Sequence, residues 1–211
     1  GVPVFPIPAA ERQGKQGAGK LFEHLRAAGG ISMPHTSATG AGTDWRDAEP
    51  NVEPLAEIYQ GYRHSYEHQG APRSNPKNER PAGFLWKAWE KGLKIGVQSS
   101  SDHVSTHTSY AALYVTDISR EAILEAIHAR RSYASTDNLL VDFRLNDHWM
   151  GESFPLAAPP RLYARLHGTA PISKVEIIRN NTYLHTQPGS RGPSLEFTYV
   201  DNQPPPGESY Y

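Results

Sequence analysis

Lys91-Gly92-Leu93-Lys94-Ile95-Gly96-Val97-Gln98-Ser99-Ser100-Ser101-Asp102-His103 decides how the chain reads. Gly92 stops a helix predicted over Phe84–Lys91, and the run Leu93–Gln98 is then a short buried strand. Directly beyond its carboxyl end comes Ser100-Ser101-Asp102-His103-Val104-Ser105-Thr106-His107, one carboxylate and two imidazoles in six residues. In α/β domains, ligands and catalytic groups gather at that end of parallel strands.

Working outward, the same unit recurs. A helix over Lys20–Ala28 places Leu21, Phe22 and Leu25 on one face, stops at Gly29-Gly30, and leads into a short strand, Ile31–Met33, that delivers His35 to a Ser/Thr/Gly loop. Leu55–Tyr59 is a further strand, with Glu57 inside it, and a carboxylate buried there needs a partner or a task. Ala111–Val115 reads as extended, and Ser119 caps a helix whose apolar face is Ile123, Leu124 and Ile127. From Leu139 the period changes to two: Leu140–Leu145, Arg161–Leu166, Lys174–Arg179 and Ser194–Val200 alternate between turn signals such as Asn180-Asn181 and Gly189-Ser190. The expected fold class is therefore α/β over residues 1–138, followed by a small all-β, sandwich-like module over residues 139–211.

Composition narrows the function. The 211 residues make one large domain or two small ones. Lys+Arg number 21 against 22 Asp+Glu, a net charge of -1, which argues against a protein built to grip nucleic acid. No apolar run approaches the ~18 residues of a membrane helix, and no basic-then-apolar leader opens the chain, so a soluble protein is expected, with export from a bacterium left open. Gly1 and the strand-like ending Ser209-Tyr210-Tyr211 read as cuts through a longer protein. Cysteine is absent, which removes disulfides, thiolate metal sites and thiol nucleophiles, so a transition metal would have to use the ten His with Asp or Glu.

Asp102 with His103 and His107 makes a plausible site for a borderline divalent metal, against the alternative of a turn-capping Asp and two exposed imidazoles. Gln60 and Arg63 open a stretch rich in Tyr, Arg and His, suited to a small anionic substrate or simply a solvated loop. No G-x-S-x-G elbow, P-loop, post-strand G-x-G-x-x-G or H-E-x-x-H is present.

Pro34-His35-Thr36-Ser37, Ala56-Glu57-Ile58-Tyr59-Gln60-Gly61, the cluster from Ser100 to His107, and Arg130-Arg131-Ser132-Tyr133-Ala134-Ser135-Thr136-Asp137-Asn138 occur in that order. Together they resemble a bacterial branch, of unknown function, of the polymerase-and-histidinol-phosphatase superfamily. That resemblance implies the C-terminal half of a distorted β/α barrel with divalent metal ions (Zn, Mn or Fe) at the carboxyl ends of its strands. It implies a metal-dependent hydrolase of phosphoester type. Carried over, His35 and Asp102 resemble metal ligands, His103 or His107 supplies the imidazole of the closing motif, and Glu57 looks like a substrate-side or supporting group. The superfamily's opening His-x-His pair is absent, so the missing ligands are expected upstream in a parent protein or in a second chain. The rival expectation is a non-catalytic module whose Trp149, Phe154, Tyr163, Tyr183 and Phe197 are core or sugar platforms, or an inactive family member.

Overall fold

The computed structural model describes residues 14–35, 37–38, 42–61, 81–103 and 106–211. In order they form α1 (Gly14–Ala28), β1 (Leu55–Gln60), α2 (Leu85–Glu90), β2 (Gly96–Ser100), β3 (Tyr110–Leu113), α3 (Arg120–His128), β4 (Ser132–Ser135), β5 (Leu140–Leu145), β6 (His148–Trp149), β7 (Arg161–His167), β8 (Lys174–Arg179), β9 (Thr182–Pro188) and β10 (Ser194–Val200). Among the described residues, no helix is long and apolar enough to cross a membrane.

The expectation of a partial β/α barrel is not met. Among the described residues three α-helices stand against ten strands, and the sheets are small. Among the described residues only β1 and β2 form a parallel ladder; β3–β4, β8–β9 and the sheet β10-β7-β5-β6 are antiparallel. The physical reason lies in the serines. A barrel would continue from β2 into another backbone ladder. Instead, Ser99 Oγ donates to the Tyr110 carbonyl at 2.7 Å and accepts from Ser135 N–H at 3.2 Å, while Ser132 Oγ donates to the Val97 carbonyl at 2.8 Å. Side-chain hydroxyls thus bridge β2 to β3 and β4, and after α3 the chain pairs β4 back onto β3 rather than extending the parallel sheet.

The first core packs on the other side of the parallel pair. Ala56, Leu85, Ala88, Ile95 and Trp45 are buried together, and Trp45 Nε1 donates to the Gly83 carbonyl at 2.9 Å. Ile31–Met33 is not a ladder strand. It still runs beside β1, because Ser32 N–H donates to Val52 O at 2.8 Å and Glu57 N–H donates to Pro34 O at 3.0 Å.

In the β-rich part, alternation sorts the faces. Leu162 and Ala164 are buried, and they face Tyr199 and Phe197 across the β7–β10 ladder. His185 of β9 stacks on Tyr199 at 4.4 Å between ring centroids, so the β8–β9 hairpin covers this apolar face. The opposite face carries Asp142, Arg144, Tyr163 and Arg165, whose side chains meet water. The last residues tie the two regions together. Tyr211 Oη donates to buried Asp201 at 2.7 Å, Tyr210 packs on Trp89, and Lys94 pairs with Glu208 at 2.7 Å.

Candidate functional site

The carboxyl ends of β1 and β2 carry the chemistry. Glu57 sits well inside the parallel pair and its side chain is only 3% exposed. A carboxylate desolvated to that degree needs hydrogen-bond donors. Among the described residues, Oε2 lies 2.7 Å from His35 Nδ1, and Oε1 accepts from Ser100 Oγ. Gln60 Nε2 approaches the other ring nitrogen of His35, Nε2, at 3.4 Å. Three residues apart on a regular strand, Glu57 and Gln60 would face opposite sides. A bulge between Glu57 and Tyr59 shifts the register by one and lets both reach the same imidazole.

These contacts fix one tautomer. Glu57 only accepts and therefore requires Nδ1–H; the Gln60 amide group donates and therefore requires a lone pair on Nε2. His35 is held from below by buried groups while its side chain remains 60% exposed. The backbone around it is pinned as well, since Ser37 Oγ donates to the Glu57 carbonyl at 3.2 Å. Gly83 permits that placement: a Cβ there would stand 1.9 Å from Ser37 O.

The loop after β2 is built from hydroxyls. Ser101 Oγ donates to Ser109 O at 2.9 Å and accepts from the N–H groups of Thr108 and Ser109 at 3.0 and 3.1 Å. The loop then lies directly on Gly61, where a Cβ would meet Thr108 Oγ1 at 2.0 Å. Asp102 follows at φ +65, a left-handed conformation that Asp tolerates better than most residues. Its side chain is 12% exposed. Oδ1 accepts from His103 N–H at 2.6 Å, and Oδ2 is buried with no hydrogen-bond partner among the described residues.

Of the expected site residues, His35, Glu57 and Gln60 are in direct contact, and Asp102 lies just past the end of the adjoining strand. His103 and His107 are both exposed; His103 Nε2 is 3.3 Å from Asp102 Oδ1, and His107 Nδ1 is 2.6 Å from Thr106 Oγ1. Arg63 lies outside the described residues, as do Val104 and Ser105. Among the described residues, no three His, Asp or Glu side chains are gathered closely enough to hold one ion. Ser100 escaped the sequence reading as a partner of Glu57. Its signal was present in the Ser99-Ser100-Ser101 run, since three hydroxyls at a strand end invite bonds to neighbouring strands.

The arrangement is not a serine nucleophile triad. There the imidazole stands between hydroxyl and carboxylate. Here the carboxylate stands between, and the imidazole's far nitrogen points away from Ser100 toward Gln60. It matches instead the pairing in which a carboxylate orients a histidine whose other nitrogen serves a metal.

No family model matches the chain. No solved structure matches it. It is similar to proteins described only as uncharacterized from Chlamydia trachomatis and Chlamydia muridarum, each 28% identical over 211 residues, covering 88% of this chain and 34% of the relative. A Chlamydia pneumoniae protein is 28% identical over 202 residues, covering 82% of this chain and 32% of its own length. The chain thus spans about a third of the length of the curated relatives it matches.

Proposed function

We propose that the chain contributes part of a metal-dependent hydrolytic site acting on an anionic ester, with phosphoesters as the first substrates to try. The observation that supports this reading is the 2.7 Å contact of buried Glu57 with His35 Nδ1, which leaves Nε2 as a directional lone pair on an exposed ring. Asp102 fits the same role. An anionic oxygen that is buried and unpartnered is costly unless something binds it, and Oδ2 is such an atom.

His35 and Asp102 are the ligands this chain offers, with His103 as the nearest additional imidazole. A divalent cation supplies Lewis acidity at the scissile group and lowers the pKa of water toward neutrality. Glu57 keeps the His35 tautomer, Ser100 shares its proton with Glu57, and Gln60 yields its weak 3.4 Å contact when Nε2 is taken. The remaining ligands come from outside the described residues, in a longer parent chain or a second copy.

The test is metal content and hydrolysis of model phosphoesters by the chain and by its full-length parent, each with and without Asp102→Ala. The reading expects both properties to fall together in the variant. Retention of metal and of hydrolysis after Asp102→Ala refutes it.

A further inference from the structure

We infer that the outer edge of β10 pairs with the same strand of a second copy of this chain, an interface independent of the metal-dependent reading above. β10 ends the sheet β10-β7-β5-β6 on one side. An open strand edge presents unpaired N–H and C=O groups, and folded proteins usually guard it. The other strands at the edges of the β-rich part are guarded. β6 is two residues long, β8 carries Lys174 and a bulge between Ile177 and Ile178, and β9 ends on Pro188. β10 has none of these devices. Ser194–Val200 keeps an unbroken register with β7 over 7 residues and contains no Lys, Arg, Gly or Pro.

The ladder fixes which groups point outward. Asp201 N–H donates to Pro160 O and Gly168 N–H donates to Pro193 O, both at 2.9 Å, in the register of the β7–β10 pairing. Hydrogen-bonded pairs recur at every second residue of an antiparallel ladder. Leu195, Phe197 and Tyr199 therefore exchange bonds with β7, while Ser194, Glu196, Thr198 and Val200 aim their backbone groups at the edge. Among the described residues, the one partner on that side is Asn202 Nδ2, 3.4 Å from the Val200 carbonyl.

The strand matches its own copy reversed. With a two-fold axis at Phe197, Glu196 exchanges both backbone bonds with Thr198 of the second copy, and Ser194 does so with Val200. The intervening pairs, whose side chains come closest, are then Phe197 with Phe197 and Leu195 with Tyr199. These half-buried residues share the face that His185 of the β8–β9 hairpin covers, so the apolar face continues across the join. The single charged residue, Glu196, meets a threonine. Moving the axis to Glu196 sets two carboxylates opposite each other, and moving it to Thr198 leaves Ser194 unpaired. Charge and hydrogen bonding thus favour the same self-pairing, which points to a second copy rather than an unrelated strand.

Sedimentation velocity on the chain across a concentration series tests this, with amide hydrogen exchange as the local readout. A monomer–dimer equilibrium is expected, in which the Glu196 and Thr198 amides gain protection as the dimer forms. Thr198→Pro removes an N–H that β7 does not use and weakens the dimer at least about tenfold, because the lost bond occurs twice. Thr198 is exposed, and charge there reads the register: Thr198→Glu faces Glu196 of the second copy and weakens dimerisation about tenfold, whereas Thr198→Lys strengthens it by about the same factor. Thr116→Glu and Thr116→Lys, in the exposed loop before α3, make the same changes in net charge and leave the equilibrium unchanged. Thermal unfolding checks that each variant folds, and the Glu and Lys variants decide the matter if the proline variant does not fold. The proposal is overturned if the chain stays monomeric throughout, if it dimerises while the Glu196 and Thr198 amides stay unprotected, or if Thr198→Glu and Thr198→Lys shift the equilibrium in the same direction.

Discussion

Replacing Glu57 by Gln tests the chemical logic of the site at its centre. The wild-type carboxylate accepts from both neighbours at once, His35 Nδ1 at 2.7 Å and Ser100 Oγ. An amide cannot do that. If its NH₂ turns toward His35, Nδ1 must become the acceptor, the ring proton moves to Nε2, and that proton then opposes the Gln60 amide and blocks ligation. If the NH₂ turns toward Ser100, the hydroxyl proton loses its acceptor. Both placements also lose the negative charge that favours Nδ1–H. Loss of such an orienting carboxylate costs 10–100-fold in metal affinity, about 1.4–2.7 kcal/mol. Zinc affinity by calorimetry and imidazole ¹⁵N shifts in labelled protein read the two consequences separately. Glu152→Gln is the control, because Glu152 holds His148 Nδ1 at the same 2.7 Å in the β-rich part, away from this site. A wild-type His35 carrying its proton on Nε2, or a Glu57→Gln variant binding zinc within about threefold of wild type, refutes the reasoning.

Asp102→Gly is expected to leave stability unchanged or to raise it by up to about 1 kcal/mol in urea unfolding, because φ +65 suits glycine and the variant removes a buried oxygen without a partner; a loss above about 1 kcal/mol shows that Asp102 is structural. The Asp201 cluster makes the stability of the β-rich part depend on pH at both ends. Burial alone would raise the Asp201 pKa, but donation from Tyr211 and Arg179 outweighs it and the carboxyl is held below its ordinary value. Its stabilisation is therefore present above the unfolded value of 3.8 and is lost as pH falls below that. Tyr211 is pushed up to about 12, first by burial and then by its bond to Asp201, so its contribution is complete below pH 10 and is lost between 10 and about 12. Thermal melts across pH should show Tyr211→Phe flattening the alkaline loss and Asp201→Asn flattening the acid loss; unchanged slopes in both remove the cluster from the account.

Local elements were legible where one local force dominated. Ser119 capping α3 and the alternation of β7 and β10 need only neighbours in sequence, and both stand in the structure, with Ser119 Oγ accepting from Ala122 N–H at 3.2 Å. The barrel implied by the family resemblance does not follow from the helix–strand alternation, which is shared by folds that differ in how strands pair. What redirected the pairing is two serine hydroxyls, Ser99 and Ser132, that bond to backbone across strands, Ser99 Oγ to the Tyr110 carbonyl and the Ser135 N–H and Ser132 Oγ to the Val97 carbonyl. Serine has no period that marks this use, and the residues it joins lie about 35 positions apart, as Ser132 and Val97 do.

The site was legible in kind and not in arrangement. His35, Glu57 and Gln60 could be named from sequence as polar groups near strand ends, yet alternation along β1 sends Glu57 and Gln60 to opposite faces. Only the bulge at Ile58 reverses this, and nothing in Glu57-Ile58-Tyr59 announces it, since no glycine or proline stands there. A single inserted residue thus converts a strand with one polar group on each face into a two-sided clamp on an imidazole. It follows that the clamp depends on register more than on residue identity. A deletion that restores regular pairing would keep Glu57 and Gln60 in the sequence and still release His35, which separates the role of the bulge from that of the side chains it aims.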